Sequence, residues 1–439
     1  MNLTVRELIL ATDAEVVKCL DESMAVKIVT DSRKNLNGDL YLPIVGNNFD
    51  GHSFIEDAVK KGAIGYFSSN SNVLVDEAKF ILLVPDTKIA YLQIARAYRR
   101  KINPITVAIT GSSGKTTTKE MMYSVAAEKF KTHKTSLNHN NEIGLCQTML
   151  MMPEDTQILI VELGMRGLGE IELLSEYSEP DIAIIANVGT AHIGRLGSLN
   201  NISKAKNEIS KYLHEEGSLI ANDMEIIKKH NKYSGNTIYF GLNSGGLSVE
   251  EATPTHSIFK YKSQLYELNI EGEHNIQNAI AVIEAGLKIG MLSGDIASGL
   301  AKFRPIEKRW ESQEVSGYSI INDSYNANPD SVKAALKTFL AMGEDRKIVV
   351  LGDMGELGSD ERKYHSEIGK FLEDYTYEYL ITVGTLSKKI KPKHNLNNKH
   401  FDSTVGVAKF IKNNIKSGAK ILLKASRSMK FEEIIQELK

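Results

Sequence analysis

Cysteine is scarce: the 439 residues hold only Cys19 and Cys146. Two thiols so far apart make no disulfide framework and lack zinc-site spacing, so both are expected to be packing residues. A basic excess is missing as well. Lys and Arg total 53 against 55 Asp and Glu, a formal charge of -2, which gives no electrostatic case for nucleic acid. A local basic cluster would still suffice for a small anionic substrate. No stretch approaches the roughly 18 apolar residues of a membrane span. The segment Met1 to Thr12 carries Glu7 and no basic run ahead of a long apolar one, which argues against a secretory leader and makes a reducing cytoplasm the expected compartment. Internal repeats and low-complexity tracts are absent. What remains is an ordinary globular composition, 42% hydrophobic and 25% charged. At roughly 100–200 residues per domain the length suggests two to four domains, enough to bury several cores without staples.

Three regions separate along the chain. The first ends in an amphipathic helix expected over Ile89 to Lys101, closed by Asn103-Pro104. The second opens on a β-branched run, Ile105 to Thr110, and alternates strand candidates (Gln157 to Val161, Asp181 to Asn187) with helix candidates (Thr116 to Lys129, Asn201 to Leu213, Asn275 to Ile289). It closes near Arg304-Pro305. The third alternates strands Tyr318 to Asp323, Lys347 to Leu351, Tyr379 to Val383 and Ala419 to Leu423 with helices Ser331 to Leu340, His365 to Leu372, Val405 to Ile415 and Phe431 to Leu438. Such alternation implies parallel sheets with helical crossovers, an α/β fold.

The strongest local signal is Thr110-Gly111-Ser112-Ser113-Gly114-Lys115-Thr116-Thr117, between a strand and a helix. Glycines let the backbone turn tightly and aim N–H groups at phosphate oxygens, and the helix N-terminus adds partial positive charge. Lys115 would neutralise β/γ-phosphate charge and the Thr116 hydroxyl would ligate Mg²⁺. Ile109 stands where the general phosphate-loop pattern wants glycine, so this is the shorter T-G-x-x-G-K-[ST] form. The loop alone fits a kinase, a motor, a GTPase or a ligase. Glu162 ends the apolar run from Ile158, where a carboxylate can hold Mg²⁺ beside a nucleotide. His192 follows another strand and reads either as a metal ligand or as a hydrogen-bonding surface residue. Lys206, on its own segment, reads as a solvated helix lysine. Gly352, Gly355 and Gly358 are three apart and do not make the G-x-G-x-x-G dinucleotide fingerprint.

Taken together these segments resemble the Mur ligase family over nearly the whole chain. By that resemblance Thr110 to Thr117 is similar to the family's phosphate loop, Glu162 to its magnesium-binding glutamate and His192 to its second-metal histidine. Lys206 is similar to the lysine that the family carbamylates, a change that turns an amine into a carboxylate-like oxygen ligand. Asn275, in Glu273-His274-Asn275-Ile276-Gln277-Asn278-Ala279, resembles the asparagine placed near adenine. Arg309 resembles an arginine that approaches the phosphates, although Lys308 stands where glycine is common. Asp323 resembles the ribose-binding aspartate.

Four segments resemble the members that add D-alanyl-D-alanine: Asn138 to Gly144, Asp323-Ser324-Tyr325-Asn326-Ala327-Asn328-Pro329, Leu351 to Gly358, and Lys424-Ala425-Ser426-Arg427-Ser428 with alanine where glycine is usual. The D-N-P-R motif of the diamino-acid-adding members is not found. Thr30-Asp31-Ser32-Arg33, Gly38-Asp39-Leu40 and Asp50 to Phe54 resemble a UDP-sugar-binding domain, while Tyr41-Leu42-Pro43-Ile44 departs from the usual F-x-A-L type.

The resemblance implies three α/β domains: a UDP-muramoyl-substrate domain over 1–100, a central phosphate-loop ATP-binding domain with a mostly parallel sheet over 101–305, and a Rossmann-like domain over 306–439. It implies an ADP-forming amide ligase of peptidoglycan synthesis, acting as a monomer on UDP-N-acetylmuramoyl-tripeptide and D-alanyl-D-alanine with ATP and a pair of Mg²⁺ ions. Asp31, Ser32, Arg33, Asn138 and Asn141 are expected at the UDP-linked substrate, and Asn326, Asn328 and Arg427 at the dipeptide. Arg427 also reads as one half of a surface ion pair. Two rivals stand beside this reading. One is another ligase of the superfamily, such as a diamino-acid-adding or folylpolyglutamate type, against which the segment Asp323 to Pro329 speaks. The other is a phosphate-loop nucleotide switch, which would need neither a UDP-sugar domain nor Lys206.

Overall fold

The computed structural model describes residues 3–439 apart from 34, 47, 137–138, 254–255, 306–307, 344–345 and 395–396. The chain forms two compact units, one of residues 1–108, 130–163 and 173–180, the other of 109–129, 164–172 and 181–439.

The first unit begins with the helix Val5–Thr12, started by a capping box between Thr4 and Glu7 and stopped by Asp13 in the left-handed conformation. A five-stranded sheet follows, ordered Glu15–Cys19, Phe80–Leu83, Gly65–Ser68, Leu40–Tyr41, Ile28–Val29. Its first pair is antiparallel and the others are parallel. The helix Thr87–Ile102 has Asp86 as N-cap, accepting from the amides of Lys88 and Ile89, and ends at Asn103 with φ 55°. Its apolar face, with Tyr91, Ile94, Ala95 and Tyr98, packs against the helix Glu142–Leu150. Thr132–Lys134 and Ile158–Glu162 pair in parallel.

In the second unit the phosphate loop leads into the helix Lys115–Ala126. Strands Ile182–Ile185, Ser218–Asn222 and Asn236–Phe240 run parallel. An antiparallel meander, Ser248–Thr253, His256–Tyr261 and Gln264–Leu268, precedes the helices Glu273–Lys288 and Ser293–Lys302, which pack on Lys115–Ala126. The C-terminal part is a six-stranded sheet ordered Glu311–Val315, Tyr318–Asn322, Lys420–Lys424, Lys347–Gly352, Tyr379–Val383, Asn398–Phe401. All its pairs are parallel except the first. Strands buried on both faces read as unbroken apolar runs, as in Ile348 to Leu351 and Ile421 to Leu423.

Three expectations are corrected. The helix expected over Asn201 to Leu213 runs Leu199–Asn207, started by Ser198, and tightens into a 3₁₀ turn at Glu208–Ser210. The helix expected from Val405 begins at Val407, after Gly406 at φ 84°. Cys146 is buried, but Cys19 is partly exposed at the end of an edge strand and is not a core residue. Among the described residues no helix is long and apolar enough to cross a membrane.

Candidate active site

The phosphate loop is tied to the segment after Ile182–Ile185. Asn187 takes the amides of both loop serines, Ser113 N at 3.0 Å on Oδ1 and Ser112 N at 3.2 Å on its carbonyl, and its Nδ2 donates to Ser113 O at 3.0 Å. Ser112 Oγ accepts from Gly189 N at 2.9 Å. These bonds hold the loop's shape. The amides of Lys115, Thr116 and Thr117 form the first helical turn, where N–H groups have no intrahelical acceptor. Lys115 Nζ donates to Gly111 O at 2.7 Å, arching over the loop, and Thr116 is buried. Gly114 adopts φ +76°, and a Cβ there would lie 2.8 Å from Asn278 Oδ1. Both the left-handed backbone and the approach of Asn278 require glycine.

Lys206 overturns its local reading. It lies on Leu199–Asn207 with 0% exposure, among buried Ile202, Ser203 and Ala205. The signal was present: Lys206 follows Ile202 by four residues and so shares its face. Lysine is among the residue types least often so fully buried.

His192 has φ +64°, a conformation that costs a non-glycine residue about 1–2 kcal/mol. Its Nδ1 lies 2.6 Å from a Glu356 carboxylate oxygen, and that contact, chiefly, holds the carboxylate below its usual range. Beside it, Thr190 N and Oγ1 donate to Asp330 Oδ2 at 2.6 and 2.7 Å. The segment after the central strand is thus held from both sides by carboxylates of the C-terminal part.

Three of the segments that carried the resemblance gather at the C-terminal ends of neighbouring strands, Tyr318–Asn322, Lys420–Lys424 and Lys347–Gly352, where open α/β sheets bind ligands. Asp323 pairs with buried Lys424 at 2.7 Å, and Lys424 Nζ also donates to Asn326 O at 2.9 Å. Arg309 stacks on Tyr325, 3.9 Å from the ring centroid, and its Nε has no acceptor among the described residues. Arg427 lies 6.0 Å from the same ring. It is 56% exposed and 3.6 Å from Glu432, so the surface ion pair is present. Asn328 is committed to a helix cap: its Oδ1 accepts from Ser331 N at 2.9 Å and starts Pro329–Ala341.

Asn275 is buried and donates to Glu271 O at 2.7 Å. Burial pushes the Glu271 carboxyl up to about 7, and burial pushes neighbouring His274 down to about 4.

Within the first unit, Glu162 is buried at the end of Ile158–Glu162 and accepts from Asn140 Nδ2 at 3.0 Å. Asn141 is the N-cap of Glu142–Leu150, its Oδ1 accepting from Gly144 N at 2.9 Å. Asn138 lies outside the described residues. Asp31 and Arg33 pair at 2.8 Å, with the arginine exposed, and the carbonyl of buried Ser32 accepts from Lys61 Nζ at 2.9 Å. Residue-level reasoning missed Asn140, Asn187, Asn278, Asp330, Glu356 and Lys424. Four of them lie inside the motifs noted in the sequence, Asn187 ends a strand candidate, and Asp330 follows a motif directly and carries no signal of its own.

Family comparisons cover the chain in order: "Mur ligase family, catalytic domain" at residues 26–108, "Mur ligase middle domain" at 109–286 and "Mur ligase, glutamate ligase domain" at 308–427. The UDP-N-acetylmuramoyl-tripeptide–D-alanyl-D-alanine ligase of Bacillus subtilis (strain 168) is 38% identical over 423 residues, 94% of this chain and 92% of that one. A crystal structure of MurF from Acinetobacter baumannii superposes with TM-score 0.92 at 29% identity, covering 100% of this chain and 99% of the other. MurF ligase from Thermotoga maritima, solved in complex with ADP, gives TM-score 0.85 at 27% identity, covering 94% of this chain and 97% of the other. With its three family domains in order and these likenesses over nearly its full length, the chain belongs to the Mur ligase family.

Proposed function

We propose that this chain joins D-alanyl-D-alanine to the terminal carboxylate of UDP-N-acetylmuramoyl-tripeptide, with cleavage of ATP to ADP and phosphate, in the synthesis of peptidoglycan precursors. The observation that carries the reading is a phosphate loop tied by Asn187 to the segment of Thr190 and His192, which in turn meets Asp330 and Glu356 of the C-terminal part. The working division is 1–100, 101–305 and 306–439. We infer a monomer acting in the cytoplasm.

A carboxylate and an amine do not condense usefully in neutral water, so the acid must first be activated. A carboxylate oxygen of the tripeptide attacks the γ-phosphorus, the bond to the bridging oxygen breaks, and ADP leaves. Both reactants are anionic; at about 4 Å two unit charges interact by about 4 kcal/mol at an effective dielectric near 20. Lys115 and the first-turn amides of Lys115–Ala126 offset that repulsion and align the approach. Asn275 lies at the adenine side, Asp323 at the ribose and Arg309 near the phosphates. The dipeptide's amine then attacks the acyl carbon, the tetrahedral intermediate collapses, phosphate leaves and the amine's proton is lost. Asn326 and Arg427 hold the dipeptide, Arg427 by its carboxylate. Asp31, Ser32, Arg33, Asn138 and Asn141 serve the UDP-linked substrate.

Among the described residues no group of three or more His, Cys, Asp or Glu forms a ready metal cage. That suits Mg²⁺, which keeps waters and takes phosphate oxygens with only one or two protein ligands. Divided between the two Mg²⁺ ions, the donors Thr116, Glu162, His192 and a carbamylated Lys206 would hold them, and the bound ions would neutralise charge on the transferring phosphoryl group.

The test is product analysis by mass spectrometry. Phosphate release and a product heavier by one dipeptide are expected with UDP-muramoyl-tripeptide, ATP, Mg²⁺ and D-alanyl-D-alanine together. Release driven instead by lysine, diaminopimelate or glutamate would move the chain to another ligase of the family, and hydrolysis without amide formation would overturn the proposal.

A further inference from the structure

The Gly352 to Gly358 loop resembles a family motif, yet the chemistry above uses none of its side chains. Three consecutive residues in it are each tied to another part of the sheet's C-terminal edge. Asp353 O accepts from Ser426 N at 3.1 Å, and Gly355 N donates to Ser426 Oγ at 2.8 Å, so Ser426 is gripped by its amide and by its hydroxyl. Between them, Met354 N donates to His365 Nε2 at 3.0 Å. The Asp353 carboxylate accepts from Leu386 N and Ser387 N at 3.0 and 2.6 Å. The loop has no slack beside Ser426: a Cβ on Gly352 would lie 2.6 Å from Ala425 Cβ. Ser426 directly precedes Arg427.

His365 is fully buried on the helix Glu361–Leu372. Both ring nitrogens are engaged, and their partners dictate the tautomer. A carbonyl only accepts, so Nδ1, 2.7 Å from Glu361 O, carries the proton. A backbone amide only donates, so Nε2 offers its lone pair to Met354 N. A second proton would sit on Nε2 and meet the Met354 N–H donor against donor. The turn 353–355 therefore keeps its shape only around a neutral ring.

We propose that His365 is a positioning residue for the dipeptide subsite: its neutral ring fixes the turn 353–355, which grips Ser426 and so sets the path of the chain at Arg427. The inference rests on the proposed dipeptide role of Arg427. Burial, chiefly, holds the ring below the usual histidine range, opposed by the bond to Glu361 O and by the carboxylates of Asp353 and Glu361. On the elements packed against this helix, Lys333 of Pro329–Ala341 lies 3.9 Å from Glu367, and Lys388 and Lys389 lie on the turn Ser387–Lys389. Acid thus releases the turn only below the ordinary histidine range.

The experiment is steady-state kinetics on the full chain with UDP-muramoyl-tripeptide, ATP, Mg²⁺ and D-alanyl-D-alanine, for wild type, His365→Gln, Ser426→Ala, Arg427→Ala and the Ser426→Ala/Arg427→Ala double variant. Ser426→Ala is expected to raise the KM for the dipeptide by roughly 10–100-fold and to leave the KM for ATP at the wild-type level. Added to Arg427→Ala it should raise the dipeptide KM no further, whereas a general loosening of the fold would. Glutamine at 365 can accept from Met354 N and donate to Glu361 O without titrating. His365→Gln should therefore match wild type near neutral pH and lack the extra rise in dipeptide KM that wild type shows in acid. The dipeptide's own amine, protonated below pH about 8, affects both proteins alike and cancels in their ratio. Ring ¹⁵N shifts of wild-type His365 should show Nδ1 protonated and Nε2 bare, a reading that needs no variant to fold. An unchanged dipeptide KM in Ser426→Ala, an additive double variant, the same acid rise in His365→Gln, or the opposite tautomer overturns the proposal and leaves the ligase reading standing. An unchanged dipeptide KM in Arg427→Ala removes that residue's role and the proposal with it. Wild type without dipeptide-dependent phosphate release removes the ligase reading itself.

Discussion

Lys115 and Glu271 are charged residues with opposite consequences. Lys115 already arches over the loop through Gly111 O, so its position does not depend on substrate. Removing it should leave the fold intact and lower kcat by about 10²–10³, the usual cost of one aimed electrostatic group. Lys115→Ala with near wild-type turnover and an unchanged melt would exclude it from phosphoryl transfer. Glu271 is buried, and its Oε2 has no hydrogen-bond partner among the described residues. Burial raises its carboxyl from 4.5 to about 7. Between those values the folded protein keeps a proton that the unfolded chain has lost, so stability falls as pH rises through that window. Glu271→Gln, which cannot ionise, should flatten the slope and gain on the order of 2 kcal/mol at pH about 8 relative to pH about 4. Denaturant titrations at the two pH values check this; identical slopes in both proteins would clear Glu271 as the cause.

At the scale of elements, caps compete with ligand binding for the same side chains. Asn328 starts Pro329–Ala341 through a capping box with Ser331. Asn328→Ala should cost about 1 kcal/mol of stability, as cap removals do, whereas Asn328→Ser should retain most of it. If capping is its whole role, the serine variant will show a wild-type KM for D-alanyl-D-alanine. A raised KM at full stability would return Asn328 to the dipeptide site. The same competition explains Asn141 and Asn140. Both stand in one polar run, but the first residue of a helix start is drawn into capping, and the residue before it reaches Glu162. Composition cannot rank two adjacent asparagines; the point at which the helix begins does. Helix ends moved for related reasons. Leu199–Asn207 gained its first turn from Ser198 and lost its expected end to a 3₁₀ turn.

For the whole molecule, one contact between the central and C-terminal parts is polar and local. Thr190 and Asp330 share two short hydrogen bonds, and Gly189 allows the approach, since a Cβ there would lie 2.5 Å from Asp330 Oδ2. Asp330→Ala should loosen that seating, enlarging the radius of gyration without ligands and raising the KM for ATP several-fold. Small-angle scattering and initial-rate kinetics read both, and a variant unchanged in each would make the contact incidental.

The α/β class, the alternation of strands and helices, and the phosphate loop between Thr110 and Lys115 were all legible in the sequence. Each depends on local physics: β-branched runs that suit buried strands, a glycine where φ is positive, a helix N-terminus where charge is wanted. Tertiary structure decided the pairings. Asn187 on the serine amides, Glu356 on His192 and Lys424 on Asp323 join segments about 70 to 160 residues apart, and no local pattern encodes a contact at such separations. Lys206 shows both sides. Read on its own segment it is a solvated helix lysine, although it shares a face with Ile202; only the packed chain showed that face closed over a lysine.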